Sequence, residues 1–356
     1  MISISRSAIA GSLCGLFLCL PAGTQQTQPQ QPPAARITVS VNEVIVPVTV
    51  TDDKGRFVSN LEARDFRILD EGRPQRISFF SHDQRQPVVV GFLVDLSNST
   101  KTHWKTYQDA IKELIWGLLP GDKRYTGYLI SYSNDAEVVV NTTWEGDKLT
   151  EEVSKMKPGG GAALYDAIYK ACSKRELVEG EPYQPRRVIV IVGDGHDTAS
   201  QKTLNEVLEL AQRSMVTIYA VSTQAFGFNN EFKDVLERLT TETGGHVEYP
   251  LDSLYKDVSG YLSVPSDEGN YALKVGTGGY AAEISAAIIK AVGGIQGEVT
   301  TQYVLRYNPD VDPEAKPKLM RRIRVEVPTL PGVKIRARGY YYPNVVPGAS
   351  PGPNGQ

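Results

Sequence analysis

Cysteine is scarce in this sequence, and neither sign of charge dominates it. Three cysteines in 356 residues are too few for a disulfide framework to hold the fold together. The 41 acidic and 38 basic side chains give a formal net charge of −3, so the composition offers no global electrostatic attraction for nucleic acid. Apolar residues make up 41% and charged residues 22% of the chain, which is typical of a globular protein, and the length exceeds that of one common domain.

Motifs of well-known enzyme sites are also scarce. The sequence contains no H-E-x-x-H zinc motif and no G-x-x-x-x-G-K-[ST] phosphate loop, and the letters G-x-S-x-G occur only at 348–352, in the Pro- and Gly-rich tail and outside any predicted strand–turn–helix that would form a nucleophile elbow. We therefore expect a protein that is not an enzyme.

The one long apolar run stands at the beginning of the sequence. Ala8–Leu20 follows Arg6 and precedes the small residues Ala22 and Gly23, which is the pattern of a secretory signal peptide. The run is shorter than the about 20 apolar residues of a membrane span. We expect residues 1–22 to be a cleaved signal, which would make the mature protein secreted or periplasmic and leave it without membrane attachment. An uncleaved anchor helix is the alternative.

Cleavage near Ala22 would remove two of the three cysteines. Cys172 would remain, in the predicted helix LYDAIYKACSK, with no histidine near it in the sequence. We interpret it as a small apolar residue of the core.

Four segments outside the middle of the chain fall into two classes. Residues 23–35, rich in Gln and Pro, and the tail 344–356 cannot bury a core, and we expect both to be disordered. Residues 36–85 and 299–343 alternate apolar and polar positions, which indicates antiparallel strands with one buried face. Because either zone alone would form a marginal sheet, we expect the two to pair into one β-sandwich. Two independent small sheets are the alternative.

Residues 86–298 follow a different pattern. Continuous apolar runs such as PVVVGFLVDLS and RRVIVIVGDG fit buried parallel strands, and stretches of helical period lie between them. This alternation predicts a doubly wound α/β fold with a mostly parallel sheet, inserted in or flanked by the all-β sandwich. We expect a hairpin of residues 125–132 with 136–143 to add an antiparallel edge strand. Residues 258–280 follow neither period and are interpreted as a loop or hairpin insertion.

The strongest functional signal lies where the first strand of the α/β zone ends. Asp95, Ser97 and Ser99 form the pattern D-x-S-x-S there, and Asp194 follows a later buried strand. Since ligands of open α/β sheets bind at the carboxyl ends of the strands, we expect these side chains to lie close together. Their hard oxygens suit Mg²⁺, Mn²⁺ or Ca²⁺, whereas the nitrogen and sulfur ligands of zinc are missing. The alternative is that they only cap a helix or form a turn.

A glycine-rich loop completes the pattern. Gly160, Gly161 and Ala162 precede a predicted helix that carries Asp166, from which we expect a local hydrogen bond. The D-x-S-x-S strand end, the Gly-Gly-x-Ala-Leu-Tyr-Asp-Ala loop and the later strand that ends in Asp-Gly are together similar to the von Willebrand factor type A domain. In that family these motifs form the metal-ion-dependent adhesion site.

The resemblance covers about residues 36–343, and its flanks resemble a bacterial secreted subgroup of proteins with this domain. It implies that a cation is held by four residues: Asp95, Ser97, Ser99 and Asp194. The family usually carries Thr where this sequence has Ala162. Because an alanine methyl group cannot coordinate, we expect weaker cation binding than the family shows.

The site and the resemblance predict a binding or adhesion module. An open position on the cation would accept the Asp or Glu carboxylate of a partner, either a protein or an extracellular-matrix-like component. Two other functions stay open. Ala162 points to a structural or assembly protein with a degenerate metal site, and a metal-dependent hydrolase would have His196 as its only nearby base.

Overall fold

The computed structural model describes residues 43–82, 87–173, 185–223, 230–250, 277–310 and 320–343. The predicted signal peptide, linker and tail lie outside these residues, as does most of the predicted insertion at 258–280. The prediction is wrong for residues 277–280, which form the first turn of the last helix. None of the described helices combines the length and the apolar character that a membrane crossing requires.

The described elements follow the predicted order of strands, alternating strands and helices, and strands again. The first zone contains β1 (Val44–Thr51), a 3-10 helix (Ala63–Asp65), β2 (Arg67–Asp70), β3 (Arg73–Gln75) and β4 (Ile77–Ser81). The middle zone contains β5 (Val88–Asp95), a 3-10 helix (Asn98–His103), α1 (Trp104–Leu118), β6 (Tyr125–Tyr132), β7 (Ala136–Thr143), α2 (Gly146–Lys155), α3 (Leu164–Ser173), β8 (Arg186–Gly193), α4 (Leu204–Arg213), β9 (Thr217–Ser222), α5 (Asn230–Thr241), β10 (Val247–Glu248) and α6 (Thr277–Thr301). The last zone contains β11 (Tyr303–Tyr307), β12 (Arg321–Glu326), β13 (Lys334–Ala337) and β14 (Tyr340–Tyr341).

The middle zone forms a mixed six-stranded sheet in the order β10–β9–β8–β5–β6–β7. β5 lies at its centre, parallel to both β6 and β8. All eight residues of β5 are buried, which explains the continuous apolar run in its sequence. β7 pairs antiparallel with β6, as the predicted hairpin requires.

Helices cover both faces of this sheet. Because side chains alternate along a strand, Val90 and Phe92 of β5 pack into the core under α1, α2 and α6, while Val89 and Leu93 pack into the core under α3, α4 and α5. Cys172, on α3, is buried in this second core. The predicted fold class, a doubly wound α/β domain with additional antiparallel sheets, is confirmed.

Two four-stranded antiparallel sheets, β13–β1–β11–β4 and β14–β12–β2–β3, are built from the first and last zones together. Val46 of β1 pairs with Leu305 of β11, and Ile68 of β2 pairs with Val325 of β12. All four belong to one buried cluster, so the two sheets face each other across a common core.

Buried polar side chains join the α/β part to this sandwich. Glu298 of α6 is fully buried, and its Oε2 lies 2.9 Å from His246 Nδ1 and 3.2 Å from Nη2 of Arg336, on β13. His246 Nε2 lies 2.9 Å from Glu248 Oε1. Burial alone would lower the pKa of His246, but the two glutamates outweigh burial and raise it above 6.5. Burial alone would raise the pKa of Glu298, but His246 and Arg336 lower it overall.

Replacement of His246 by Gln should destabilise the protein more at pH 6 than at pH 9. A raised folded-state pKa means that protonated His246 stabilises the fold fully below its unfolded-state pKa, and that this stabilisation is lost as the pH rises through the folded value. We expect His246→Gln to lower the free energy of unfolding by about 2 kcal/mol at pH 6, and by clearly less at pH 9, in urea titrations. An equal loss at both pH values would contradict this account.

Candidate metal centre

The two predicted carboxylate ligands lie at the carboxyl edge of the central sheet. Asp95 is the last residue of β5, and Asp194 directly follows the last residue of β8. The two strands are parallel neighbours, with Val94 opposite Val192, so their ends bring both carboxylates to one edge. Asp95 is 1% and Asp194 8% exposed.

The two predicted serine ligands lie in the turn that follows β5. Ser97 Oγ lies 2.7 Å from Ser99 Oγ, and the backbone N–H of Ser97 donates to Asp95 Oδ1 at 2.7 Å. Ser97 occupies the N-cap position of the following 3-10 helix, but its side chain makes no capping hydrogen bond. The capping alternative therefore fails for Ser97, whose hydroxyl pairs with that of Ser99.

Backbone hydrogen bonds tie three loops into one rim around these side chains. The N–H of Asn98, after β5, donates to the carbonyl oxygen of Gly160 in the glycine-rich loop at 3.1 Å. The N–H of Thr198, after β8, donates to the carbonyl oxygen of Ala162 in the same loop at 2.8 Å. The turn with the serines, the glycine-rich loop and the loop that begins with Asp194 therefore support one another.

Two side chains that sequence reasoning missed hold the glycine-rich loop in place. Asn134 Oδ1 accepts the N–H of Gly161 at 2.7 Å, and Thr198 Oγ1 accepts the N–H of Ala162 at 3.0 Å. Asn134 lies in the turn between β6 and β7. Its place at this rim follows from the strand order, which no local pattern reveals.

The expectation of a local hydrogen bond for Asp166 is wrong. Its Oδ1 accepts the N–H groups of Gln201 and Lys202, in the loop after β8, at 3.2 and 3.1 Å. In the opposite direction, Oδ2 of Asp197, in that loop, accepts a hydrogen bond from the N–H of Tyr165 at 2.9 Å. The first turn of α3 and the loop that carries Asp194 thus brace each other.

Ala162 offers no oxygen to a cation. Its side chain is 3% exposed and packs in the core beneath α3. Its carbonyl oxygen already accepts two N–H groups, from Thr198 at 2.8 Å and from Ala199 at 3.0 Å. The candidate ligands are therefore limited to the two carboxylates and the two serine hydroxyls, and water would have to complete the coordination of a cation. Mg²⁺ commonly keeps several water ligands.

The electrostatics of the carboxylate pair favour a positive charge beside it. Burial, and secondly the negative charge of Asp194, raise the pKa of Asp95 to about 7. Asp95 Oδ2 is buried and has no hydrogen-bond partner among the described residues. Adjacent buried carboxylates are unfavourable unless a proton or a cation neutralises one of them.

The donor set fits a hard divalent cation. All four candidate groups are oxygen donors of the kind that Mg²⁺, Mn²⁺ and Ca²⁺ prefer, and no donor in the part of the chain that the structure describes bonds to Asp95 Oδ2. Within the described ranges, no cluster of three or more His, Cys, Asp or Glu side chains could hold a metal. A cation at this edge would depend on hydroxyl and water oxygens as well as on the two carboxylates.

Comparison with solved structures finds several distant likenesses. An aerotolerance-related membrane protein from Bacteroides fragilis is 16% identical with a TM-score of 0.37, over 55% of this chain and 99% of that chain. Proximal thread matrix protein 1 from the mussel byssus, with a zinc-occupied MIDAS motif, is 13% identical with a TM-score of 0.39, over 65% of this chain and 49% of that one. A mutant of the PilB minor pilin from Streptococcus sanguinis is 11% identical with a TM-score of 0.42, over 65% and 64% of the two chains.

Sequence comparison finds a family match in the central segment. A search of curated proteins found no significant match. The family described as the von Willebrand factor type A domain matches residues 90–256, which span the strand end with Asp95, the glycine-rich loop and Asp194. Residues 90–256, just under half of this chain, are therefore similar to the von Willebrand factor type A domain family.

Proposed function

We propose that this protein is a secreted or periplasmic, non-enzymatic binding module. Its contact would be a divalent cation held by Asp95, Ser97, Ser99 and Asp194, which accepts an acidic side chain of a partner. The observation that supports this most is the buried carboxylate pair, in which Asp95 Oδ2 has no protein donor within the described residues. Domains of this family commonly mediate protein–protein interactions at such a site.

The chemistry of the contact follows from the ligand set. Mg²⁺, or Mn²⁺ or Ca²⁺, would hold water at the positions that the protein leaves open, and a partner carboxylate from Asp or Glu can replace one of these waters. The 3-10 helix Asn98–His103 begins beside the serines and continues into α1. The N–H groups at such a helix start favour a negative group nearby. The partner would be a protein or a matrix component with an exposed acidic residue.

The location outside the cytoplasm rests on the sequence alone. Arg6, the apolar run Ala8–Leu20 and the small residues after it follow the pattern of a cleaved signal peptide. An N-terminal sequence of the mature protein that begins near Thr24 would support the proposal, and one that begins at Met1 would contradict it.

One observation favours a second candidate, a structural or assembly protein with a degenerate metal site. Ala162 supplies no ligand oxygen from either its side chain or its carbonyl. A hydrolase has less support, because His196, the base nearest in sequence, lacks a neighbouring nucleophile motif.

Magnesium should stabilise the wild-type protein and leave Asp95→Asn unchanged. In EDTA the variant should unfold at the same or a higher temperature than the wild type, because the substitution removes the repulsion between two buried carboxylates. Added Mg²⁺ should raise the wild-type midpoint by about 3 °C or more, as measured by calorimetry. Asp109→Asn, on the exposed side of α1, should respond as the wild type does.

Ala162→Thr should increase the affinity for Mg²⁺ about tenfold, or 1.4 kcal/mol. The new hydroxyl would stand where the family usually places a ligand oxygen. Isothermal titration of the variant and the wild type measures the difference. If Ala162→Thr binds Mg²⁺ and the wild type does not, the degenerate-site alternative is favoured. Equal affinities of the two proteins would show that residue 162 does not contact the cation.

Partner capture should require both the cation and Asp95. Immobilised protein should retain a partner from cell-envelope extract in Mg²⁺ and release it in EDTA, and Asp95→Ala should retain about a tenth or less. Asp109→Ala serves as the matched control, since it removes a carboxylate that pairs with Lys105 away from the site. Capture that EDTA and Asp95→Ala leave unchanged would contradict the proposed function.

A further inference from the structure

Tyr132 places a phenol hydroxyl beneath the candidate metal centre. It is the last residue of β6 and stands opposite Asp95 in the parallel register of β6 with β5. The side chain is 1% exposed, and its hydroxyl has no hydrogen-bond partner among the described residues. A buried hydroxyl without a partner is unfavourable, so its presence needs an explanation.

Gly193 shows that this hydroxyl and the Asp95 carboxylate line the same small space. A Cβ atom on Gly193 would lie 2.4 Å from the Tyr132 hydroxyl oxygen and 3.0 Å from Asp95 Oδ2. Only a glycine leaves that space open, since any other side chain would begin between the two groups. The two atoms around it, the hydroxyl and Asp95 Oδ2, are both buried without a partner in the described part of the chain.

The two groups are chemically complementary. A phenol has an ordinary pKa of about 10 and is therefore a hydrogen-bond donor at neutral pH, whereas an ionised carboxylate only accepts. A small movement of either side chain, or one water between them, would join donor and acceptor. Partners of this kind, one layer behind the ligands, orient metal-binding carboxylates in other proteins.

We propose that Tyr132 is a positioning residue of the cation site, whose hydroxyl donates to Asp95 and holds its carboxylate in the orientation that binds the cation. Gly193 keeps the intervening space open. The inference rests on the proposed function, because it assigns a role toward the cation. A purely structural Tyr132 would serve only through the packing of its ring in the core beneath α3, where it is buried.

Tyr132→Phe separates these two roles, because it removes the hydroxyl and keeps the ring. Mg²⁺ is titrated into the full-length variant and the wild type in a calorimeter. We expect the dissociation constant to rise about tenfold, while the unfolding midpoint in EDTA falls by no more than about 4 °C, the size of effect expected from the loss of one hydrogen bond. The midpoint also shows that the variant is folded.

Tyr128→Phe is the matched control. Tyr128 lies on the same strand, and its hydroxyl oxygen would be 2.3 Å from a Cβ atom on Gly91, one strand over and away from the site. This variant should keep the wild-type affinity for Mg²⁺. Gly193→Ala should weaken binding as Tyr132→Phe does, because its methyl group fills the space between the hydroxyl and Asp95.

The outcomes distinguish this inference from the proposed function. If the wild type binds Mg²⁺ and Tyr132→Phe binds it with the same affinity, the proposed role of Tyr132 is overturned, but the proposed function is not. An equal loss of affinity in Tyr132→Phe and Tyr128→Phe would do the same, because it would show a general effect of core hydroxyls. Wild-type protein that does not bind Mg²⁺ or Mn²⁺ would overturn both proposals.

Discussion

Two carboxylates buried side by side are the constraint on which the account of this protein depends. Asp95 and Asp194 stand at the ends of adjacent parallel strands, and burial together with their mutual repulsion raises the pKa of Asp95 to about 7. Such a pair is a cost to the fold unless something positive lies beside it. The surrounding loops hydrogen-bond to one another and to Asp95 Oδ1, and they leave Oδ2 without a donor among the described residues.

The rest of the fold holds this edge in place and connects it to a second body. β5 is fully buried between two layers of helices, and so are the last six residues of β8. The positions of these two strand ends are therefore fixed by a close-packed core. α6 packs on α1, which follows the turn with the serines. At its other end α6 leads directly into β11 of the sandwich, where Glu298 contacts His246 and Arg336. One helix thus links the layer behind the site to the sandwich.

The sequence alone was informative where a residue's environment is local and periodic. The apolar run of β5, its D-x-S-x-S ending and the second run before Asp194 predicted the buried sheet and four candidate oxygen ligands at one of its edges. Contacts between distant segments could not be predicted in this way. Asp166 has the sequence pattern of a helix residue with a local partner, yet it accepts from Gln201 and Lys202. Likewise, the place of the Tyr132 hydroxyl above Gly193 depends on strand order and side-chain direction, neither of which leaves a pattern in the sequence.

The most direct test of the central claim is a crystal structure of the protein grown with Mn²⁺, with data collected for the anomalous signal of manganese. The account predicts one strong peak at the carboxyl edge of the sheet, within coordination distance of Ser97 and Ser99 and beside Asp95 and Asp194. A map without a peak there, or with the ion bound only at other residues, would contradict it.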